Sequence, residues 1–584
     1  VSEKKSNDKK VSNFLESMMK ESDSYSSMEM IESLVEKGLT LHNIPLQPLY
    51  LALKNLPPNQ VGEYLPRLSS SQRQLIQDLD LWFKDELDTD EFDFWVQSYA
   101  QCMDDDVRGE FASGVSFLLF LKGRFNIWTF DYDDPEYPDH DNYFLTDDGL
   151  LLLEFHEDYA HLSEVRALIR ELYANKGVEY AYTWLFKMVS DSSSNMLEDE
   201  YQLKKGRLSD AGFVDYFDAL EIDNPFINRA IMENSFKKKE KVSVGVSSFS
   251  KGQVLPKKAL VPFKESFGPF DEELAKVSDE KRKSYLQFNF LRLVNGNVAL
   301  RGSFKDGAVA INRAGEKTKN ALLLGYDYLQ QFAFKNGLVV LEEDQCLFDI
   351  FDFSEIFRIG NSLTRFLQAD LKKTLRQTGL EDQAGFLGKT LNEYIDYCFD
   401  VPVSYVDLSQ SAPQQITTFE VFEKWDHQGR FIIELLPFIQ GLYQNFLPLR
   451  TEGRIQDHFY LNYNVDDIDA ETIFISSFAN FQLLKSGELK DESYNKGKLG
   501  LTLNEFKIFT RSCLDRQGNL KKDIVTDVLA FKKSFGLEKL TGFEDYLRGL
   551  LKEQLVGYDY EFLEEGDFAH VGGPIIFKRP EDLS

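Results

Sequence analysis

Apolar residues recur at helical spacing over most of this chain. Ile31, Leu34 and Val35 stand at i, i+3 and i+4 after Met28, and Leu49, Leu51, Leu53 and Leu56 follow around the next segment, the arc of an amphipathic helix. Leu56-Pro57-Pro58 stops that helix, because a residue before proline is pushed out of the α region. Pro58 then opens the next helix at its first position, where the missing N–H costs nothing. Ser69 and Asp88 are capping residues ahead of further short apolar runs, the second carrying Phe92, Phe94, Trp95 and Tyr99. Such short helices cannot bury an apolar face alone and must stack on neighbours. The predicted fold is mainly α, with stacked, repeat-like short helices in two lobes.

Two departures from the helical period predict β structure. Tyr143 to Phe155 alternates around Asp147-Asp148-Gly149, which reads as a small β-hairpin near 143–155. Val571 to Phe577 reads as a short C-terminal strand with a glycine kink. Elsewhere helices are expected from about 163 to 189 and on to 235, then at 271–293, 316–334, 354–377, 386–399, 418–445 and 501–534. Residues 1–27 are polar and form a loose tail without the apolar stretch of a secretory signal. Between the lobes, 236–264 carries Lys237, Lys238, Lys239, Lys241, Lys251, Lys257, Lys258 and Lys264 against a single acid, Glu240. This segment is expected to be a linker, with an N-terminal helical domain at 28–235 and a C-terminal one at 265–584.

Composition narrows the function classes. The 584 residues include 96 Asp and Glu against 66 Lys and Arg, a formal net charge of −30, while 43% are hydrophobic and 14% aromatic. The apolar content supplies buried cores and excludes global disorder. The charge repels phosphate backbones, so nucleic acid is an expected partner only through the lysine-rich segment. Cys102, Cys346, Cys398 and Cys513 lie far apart with no CxxC pair, which points to reduced thiols in a cytoplasmic protein. The most apolar runs, Val115–Leu121 and Phe431–Leu449, are too short or too polar for a span of ~20 apolar residues, and membrane insertion is not expected.

Four constellations invite chemistry. Gly385-Phe-Leu-Gly388-Lys389-Thr390 resembles a phosphate loop, but Gln383 stands where the motif needs glycine, and a helix start after a glycine turn is expected instead. His156 and His161 are five residues apart, a spacing that puts them on opposite sides of a helix and defeats a shared zinc. Asp515 to Asn519 hints at a calcium loop, yet Leu520 and Thr526 replace its glycine and its bidentate glutamate. The acidic run Asp131-Tyr-Asp-Asp-Pro-Glu-Tyr-Pro-Asp-His-Asp141 is the remaining metal candidate. Asp131, Asp133, Asp139 and Asp141 offer hard oxygen ligands with His140 or His156 nearby, and a divalent cation is the only cofactor the chain suggests. The competing reading is a solvated loop.

Two resemblances add to this. Leu53-Lys-Asn-Leu-Pro-Pro through Gln77-Asp-Leu79 is similar to the intracellular helical domain of bacterial magnesium transporters, and to helical parts of the flagellar motor switch protein. The membrane helices of the transporters have no counterpart, so transport is not implied. Lys205-Gly-Arg-Leu-Ser-Asp-Ala-Gly through Glu221-Ile222, with Leu79–Trp82, Thr318–Leu329 and Phe357–Leu363, resembles a large bacterial family of uncharacterised function. That resemblance spans about 45–365, implies a cytoplasmic, mainly helical protein, and supplies no catalytic residues. Within it Gly206 and Gly212 are expected to bracket a turn, with Phe213, Tyr216, Phe217 and Leu220 facing inward.

The expected function is therefore that of a non-enzymatic interaction or scaffold protein that binds protein partners. A metal-dependent enzyme or regulator using the 131–156 loop is the first alternative. An RNA-binding regulator acting through the lysine-rich segment is the second.

Overall fold

The computed structural model describes residues 28–36, 41–44, 46–129, 137–236, 268–300, 307–341, 345–406, 412–451, 468–487, 500–564 and 576–577. They form a mainly helical protein with a few short strands. The chain packs as two compact units that interleave along the sequence. The first comprises Val1–Pro225, Asn234–Tyr326 and Gly337–Ile359, the second Phe226–Glu233, Asp327–Asn336 and Gly360–Ser584. Except for Phe236, the lysine-rich segment lies outside the described residues.

The first unit opens with α1 (Met28–Glu36), α2 (Leu46–Lys54), α3 (Pro58–Tyr64) and α4 (Ser70–Asp80). Pro58 occupies the first turn of α3 as expected. Ser69 caps α4: its Oγ accepts from Gln72 N (3.2 Å) while Gln72 Oε1 accepts from Ser69 N (3.0 Å), a reciprocal capping box. A two-stranded turn of β1 (Trp82–Phe83) and β2 (Glu86–Leu87) leads to α5 (Thr89–Ala100). Asp88 Oδ1 caps α5 by accepting from Asp90 N and Glu91 N. Helices α6 (Asp105–Ala112) and α7 (Val115–Arg124) follow. Their aromatic side chains join those of α5 in one core, with Phe92 against Phe120 at 4.5 Å and Tyr99 against Phe111 at 4.0 Å between ring centroids.

The hairpin forms where alternation predicted it. Strands β4 (Tyr143–Leu145) and β5 (Leu151–Glu154) pair antiparallel, with Leu145 opposite Leu152, and Gly149 takes φ +71° in the turn. A third strand, β3 (Asn126–Thr129), covers the other side of β5 and makes it central. The helix expected over 163–189 is two helices, α8 (Leu162–Lys176) and α9 (Val178–Ser190), divided at Gly177 with φ +82°. After α10 (Ser193–Asp210), α11 (Tyr216–Asp223) and α12 (Arg229–Phe236), the chain continues in α13 (Pro269–Lys276), α14 (Glu280–Ala299), α15 (Gly307–Tyr328) and α16 (Phe353–Thr378). Gly206 lies inside α10 and makes no turn; only Gly212, at φ +84°, does.

The second unit is built on α17 (Ala384–Leu387), α18 (Lys389–Phe399), the strand pair β6 (Ser404–Tyr405) and β7 (Gln414–Gln415), and the long α19 (Phe419–Thr451). Its centre is α20 (Ala470–Ser486), buried on nearly every side. The expected helix at 501–534 divides into α21 (Leu503–Cys513) and α22 (Ile524–Ser534), and α23 (Phe543–Leu555) follows. Phe474, Phe478, Phe531 and Phe543 of these helices pack edge to face or tilted in one aromatic core. The C-terminal strand appears as β9 (Ile576–Phe577), parallel to β8 (Gly500–Leu501). Among the described residues no helix is long and apolar enough to cross a membrane.

Candidate functional site

The acidic loop divides at the edge of what is described. Asp131 and Asp133 lie outside the described residues; Asp139 and Asp141 are exposed. The nearby histidine does not turn toward them. His140 Nε2 sits 3.0 Å from Glu154 Oε1, and the same carboxylate accepts from Trp128 Nε1 at 2.8 Å and Asn126 Nδ2 at 3.4 Å. The Trp128 indole, followed by His140, holds the Glu154 carboxyl below its ordinary range. His156 falls in the turn after β5 and His161 just before α8, so the two share no helix. Among the described residues no group of three or more His, Cys, Asp or Glu side chains is placed to hold a metal ion.

The phosphate-loop lookalike has a specific explanation. Gly388, at φ +89°, ends α17 and begins α18, and the first amides of α18 do point at an anion. That anion is the protein's own: Glu471 Oε1, from α20, accepts from Thr390 N (2.8 Å) and Leu391 N (3.3 Å). A Cβ at 388 would stand 2.5 Å from Glu471 Cγ and Cδ, so glycine lets the carboxylate take the place a phosphate takes in a true loop. At the calcium lookalike, Asp515 Oδ1 accepts from Gln517 N and Asn519 N and closes its own turn. The four cysteines are buried. Burial pushes the thiols of Cys346 to about 11 and of Cys398 and Cys513 to about 12, which keeps them protonated and poor nucleophiles.

Buried charges in the first unit are structural ties. Asp80 accepts from Tyr50 Oη (2.6 Å), Trp95 Nε1 (2.6 Å) and Lys54 Nζ (3.0 Å). Arg207 forks onto Asp78 through Nε (2.7 Å) and Nη2 (2.9 Å) and reaches Glu200 at 2.6 Å. Lys204 lies between the Trp82 and Tyr201 rings, with Asp215 at 3.6 Å; burial lowers its affinity for a proton. The Arg207 and Lys204 contacts hold α10 against α4 and β1.

Helix α9 leaves apolar surface open. Helix α9 reads Val178-Glu-Tyr-Ala-Tyr-Thr-Trp-Leu-Phe-Lys-Met-Val-Ser190, with an apolar arc much wider than one face. Ala181, Leu185 and Met188 are buried at i, i+4 and i+7. The stripes on either side of them remain open: Val178 is 58% exposed, Tyr180 45% and Val189 41%. Tyr180 stacks on Trp184 (6.3 Å) and Tyr182 packs on Phe186 (5.6 Å), with Lys187 Nζ 4.5 Å from the Trp184 ring centre. The spacing over 163–189 marks this segment only as helix. The available signal was the near absence of polar residues from 180 to 186, which a helix with a solvent face does not show. The inward packing expected of Phe213, Tyr216, Phe217 and Leu220 holds for Phe213 alone among the fully buried; Phe217 and Leu220 are exposed.

No curated protein and no solved structure matches this chain. Residues 4–493 match the family of unknown function DUF6178, which includes the whole of α9 and most of both units. The chain therefore belongs to the DUF6178 family.

Proposed function

We propose that this protein is a non-enzymatic interaction protein that docks a protein partner on the Tyr180–Trp184 stripe of α9. The observation that carries this reading is the 45% exposure of Tyr180 beside the Trp184 ring that stacks on it. Tyrosine and tryptophan combine large contact area with few rotors, and they dominate the buried centres of protein interfaces. The stacked rings are also ordered before a partner arrives, which lowers the entropy lost on docking.

A photo-crosslinking residue at position 180 of the full chain, compared with one at exposed Leu529 of α22, tests the reading in native extracts. The expected result is one dominant protein adduct from position 180, absent from 529 and lost when Thr183→Asp and Lys187→Asp, which flank Tyr180 on the helix, are added. Equal labelling from both positions, or labelling that survives the two aspartates, counts against it. Thr183 is exposed and Lys187 half-buried, so the melting temperature of the variant stays near that of the parent.

A further inference from the structure

The second unit contains a cavity of about 620 Å³ between α19 and α23, unrelated to the α9 face. Its α19 wall carries Lys424, His427, Gln428 and Phe431, at i, i+3, i+4 and i+7 of one helical stripe. Its α23 wall carries Gly542, Asp545, Arg548 and Lys552. Phe431 joins the walls at the floor: it meets the Tyr546 ring at 5.7 Å, and its ring approaches the Gly542 Cα so closely that a Cβ there would stand 3.4 Å away.

The lining inverts the charge of the molecule. Carboxylates outnumber cations 96 to 66 in the whole chain, yet the described residues lining the cleft set Lys424, Arg548 and Lys552 against one carboxylate, Asp545. The ion pairs described for Lys424 and Arg548 are surface contacts. Lys424 pairs at 2.7 Å with Glu420, whose side chain is 77% exposed, and Arg548 lies 3.5 Å from the equally open Asp545. Pairs of this kind contribute roughly 0–1 kcal/mol, so an anion with several charges can displace them. Deeper in, Gln428 Nε2 is buried with no hydrogen-bond partner among the described residues. A buried donor left unmade costs about 1–3 kcal/mol, a cost that a turn of the Gln428 amide toward an acceptor in the cleft removes. Tyr405 and Phe431 supply aromatic surface beside it, and the volume lies within the ~300–1,000 Å³ range of small-molecule sites.

We propose that this cleft binds a nucleoside phosphate. The phosphates lie at the rim with Lys424, Arg548 and Lys552, and the base lies against Tyr405 and Phe431, with Gln428 Nε2 donating to a ring nitrogen or carbonyl. Inorganic phosphate satisfies only the rim. The full chain is titrated calorimetrically with ATP, AMP and inorganic phosphate. Expected are saturable binding of ATP, at least roughly tenfold tighter than inorganic phosphate, and a loss of roughly tenfold in each of Arg548→Gln and Lys552→Gln. Gln428→Leu is expected to narrow the gap between ATP and inorganic phosphate without changing the phosphate affinity. Absence of ATP binding at about 1 mM, equal affinity for ATP and inorganic phosphate, or ATP binding unmoved by both rim variants would overturn the proposal. Arg548 and Lys552 are exposed, so circular dichroism of the variants separates a lost site from a lost fold.

Discussion

Glu471 fills the place that the run Gly385–Thr390 would offer a phosphate. Its carboxyl is buried beneath α18, with the Tyr546 hydroxyl and Asp469 beside it, and burial, reinforced by the Asp469 charge, raises it to about 7. The amides of Thr390 and Leu391 favour the charged form but do not offset that burial. Because the folded value exceeds the ordinary 4.5, the native state holds the proton more tightly than the unfolded chain does. The contribution is complete below about pH 4.5 and is lost as pH rises through about 7, by at most roughly 3 kcal/mol. Asp469, also raised by burial, acts in the same direction. Urea unfolding at about pH 5.5 and pH 8 is expected to show lower stability at the higher pH. Glu471→Gln, which keeps an acceptor for Thr390 N, is expected to remove more than half of that difference; an unchanged difference would show that other groups cause it. Arg207 is a second single-residue case. Removing it leaves Asp78 and Glu200, whose side chains are 1% and 6% exposed, without their cation. Breaking a buried ion pair in this way costs about 3–5 kcal/mol, so Arg207→Met is expected to lower the unfolding midpoint far more than Arg430→Met, whose pair with Asp426 is on the surface. Equal losses would place the Asp78 contact among the weak ones.

Helix boundaries set by a local signal were legible, and those set by packing were not. Ser69, Asp88, Pro58 and the Asp147-Asp148-Gly149 turn each act on their own backbone within a few residues, and each sits where the pattern put it. Gly206 misled because a mid-helix glycine costs only about 1 kcal/mol, and its neighbours Lys205 and Arg207 are tied to Asp218 and Asp78 from within the helix. Helices α20 and α23 were not anticipated. In α20 the polar residues from Glu471 to Gln482 are buried, with Ser476 Oγ bonded to Thr472 O within the helix, so no solvent face marks the period over that stretch. The Glu471–α18 contact spans 81 residues, and no spacing rule reaches that far. Gly177 and Gly388 test the difference between local and packed boundaries. Both adopt φ +82° to +89° with ψ near 165°, a region nearly closed to other residues, and alanine there costs about 1–3 kcal/mol. At 177 nothing lies within 4 Å of the added Cβ, whereas at 388 it strikes Glu471. Gly388→Ala is therefore expected to lose more stability than Gly177→Ala, and Glu471→Ala is expected to recover part of the loss at 388 only. Similar costs at the two positions would mean that the backbone term alone decides both.

At the scale of the molecule, charge is the property that no single contact controls. The two units draw on interleaved pieces of chain, so a segment's position in the sequence does not say which acidic surface it joins. The overall balance still does physical work. With 96 acids and 66 bases, many carboxylates have no cation to pair with, whatever the arrangement. Exposed pairs such as Arg511–Glu561 and Lys389–Glu553 contribute roughly 0–1 kcal/mol each and weaken in salt. The repulsion among unpaired carboxylates weakens in salt as well, since the screening length falls from ~30 Å at 0.01 M to ~3 Å at 1 M. These two effects oppose each other, and the excess of 30 negative charges decides between them, because repulsion acts over many distant pairs while each attraction acts over one. The melting temperature is therefore expected to rise as NaCl goes from about 0.01 M to about 0.5 M. Chloride rather than sulfate isolates screening from the surface exclusion that strengthens apolar burial. A fall in melting temperature over that range would mean that the paired charges, local as they are, outweigh the net charge of the whole.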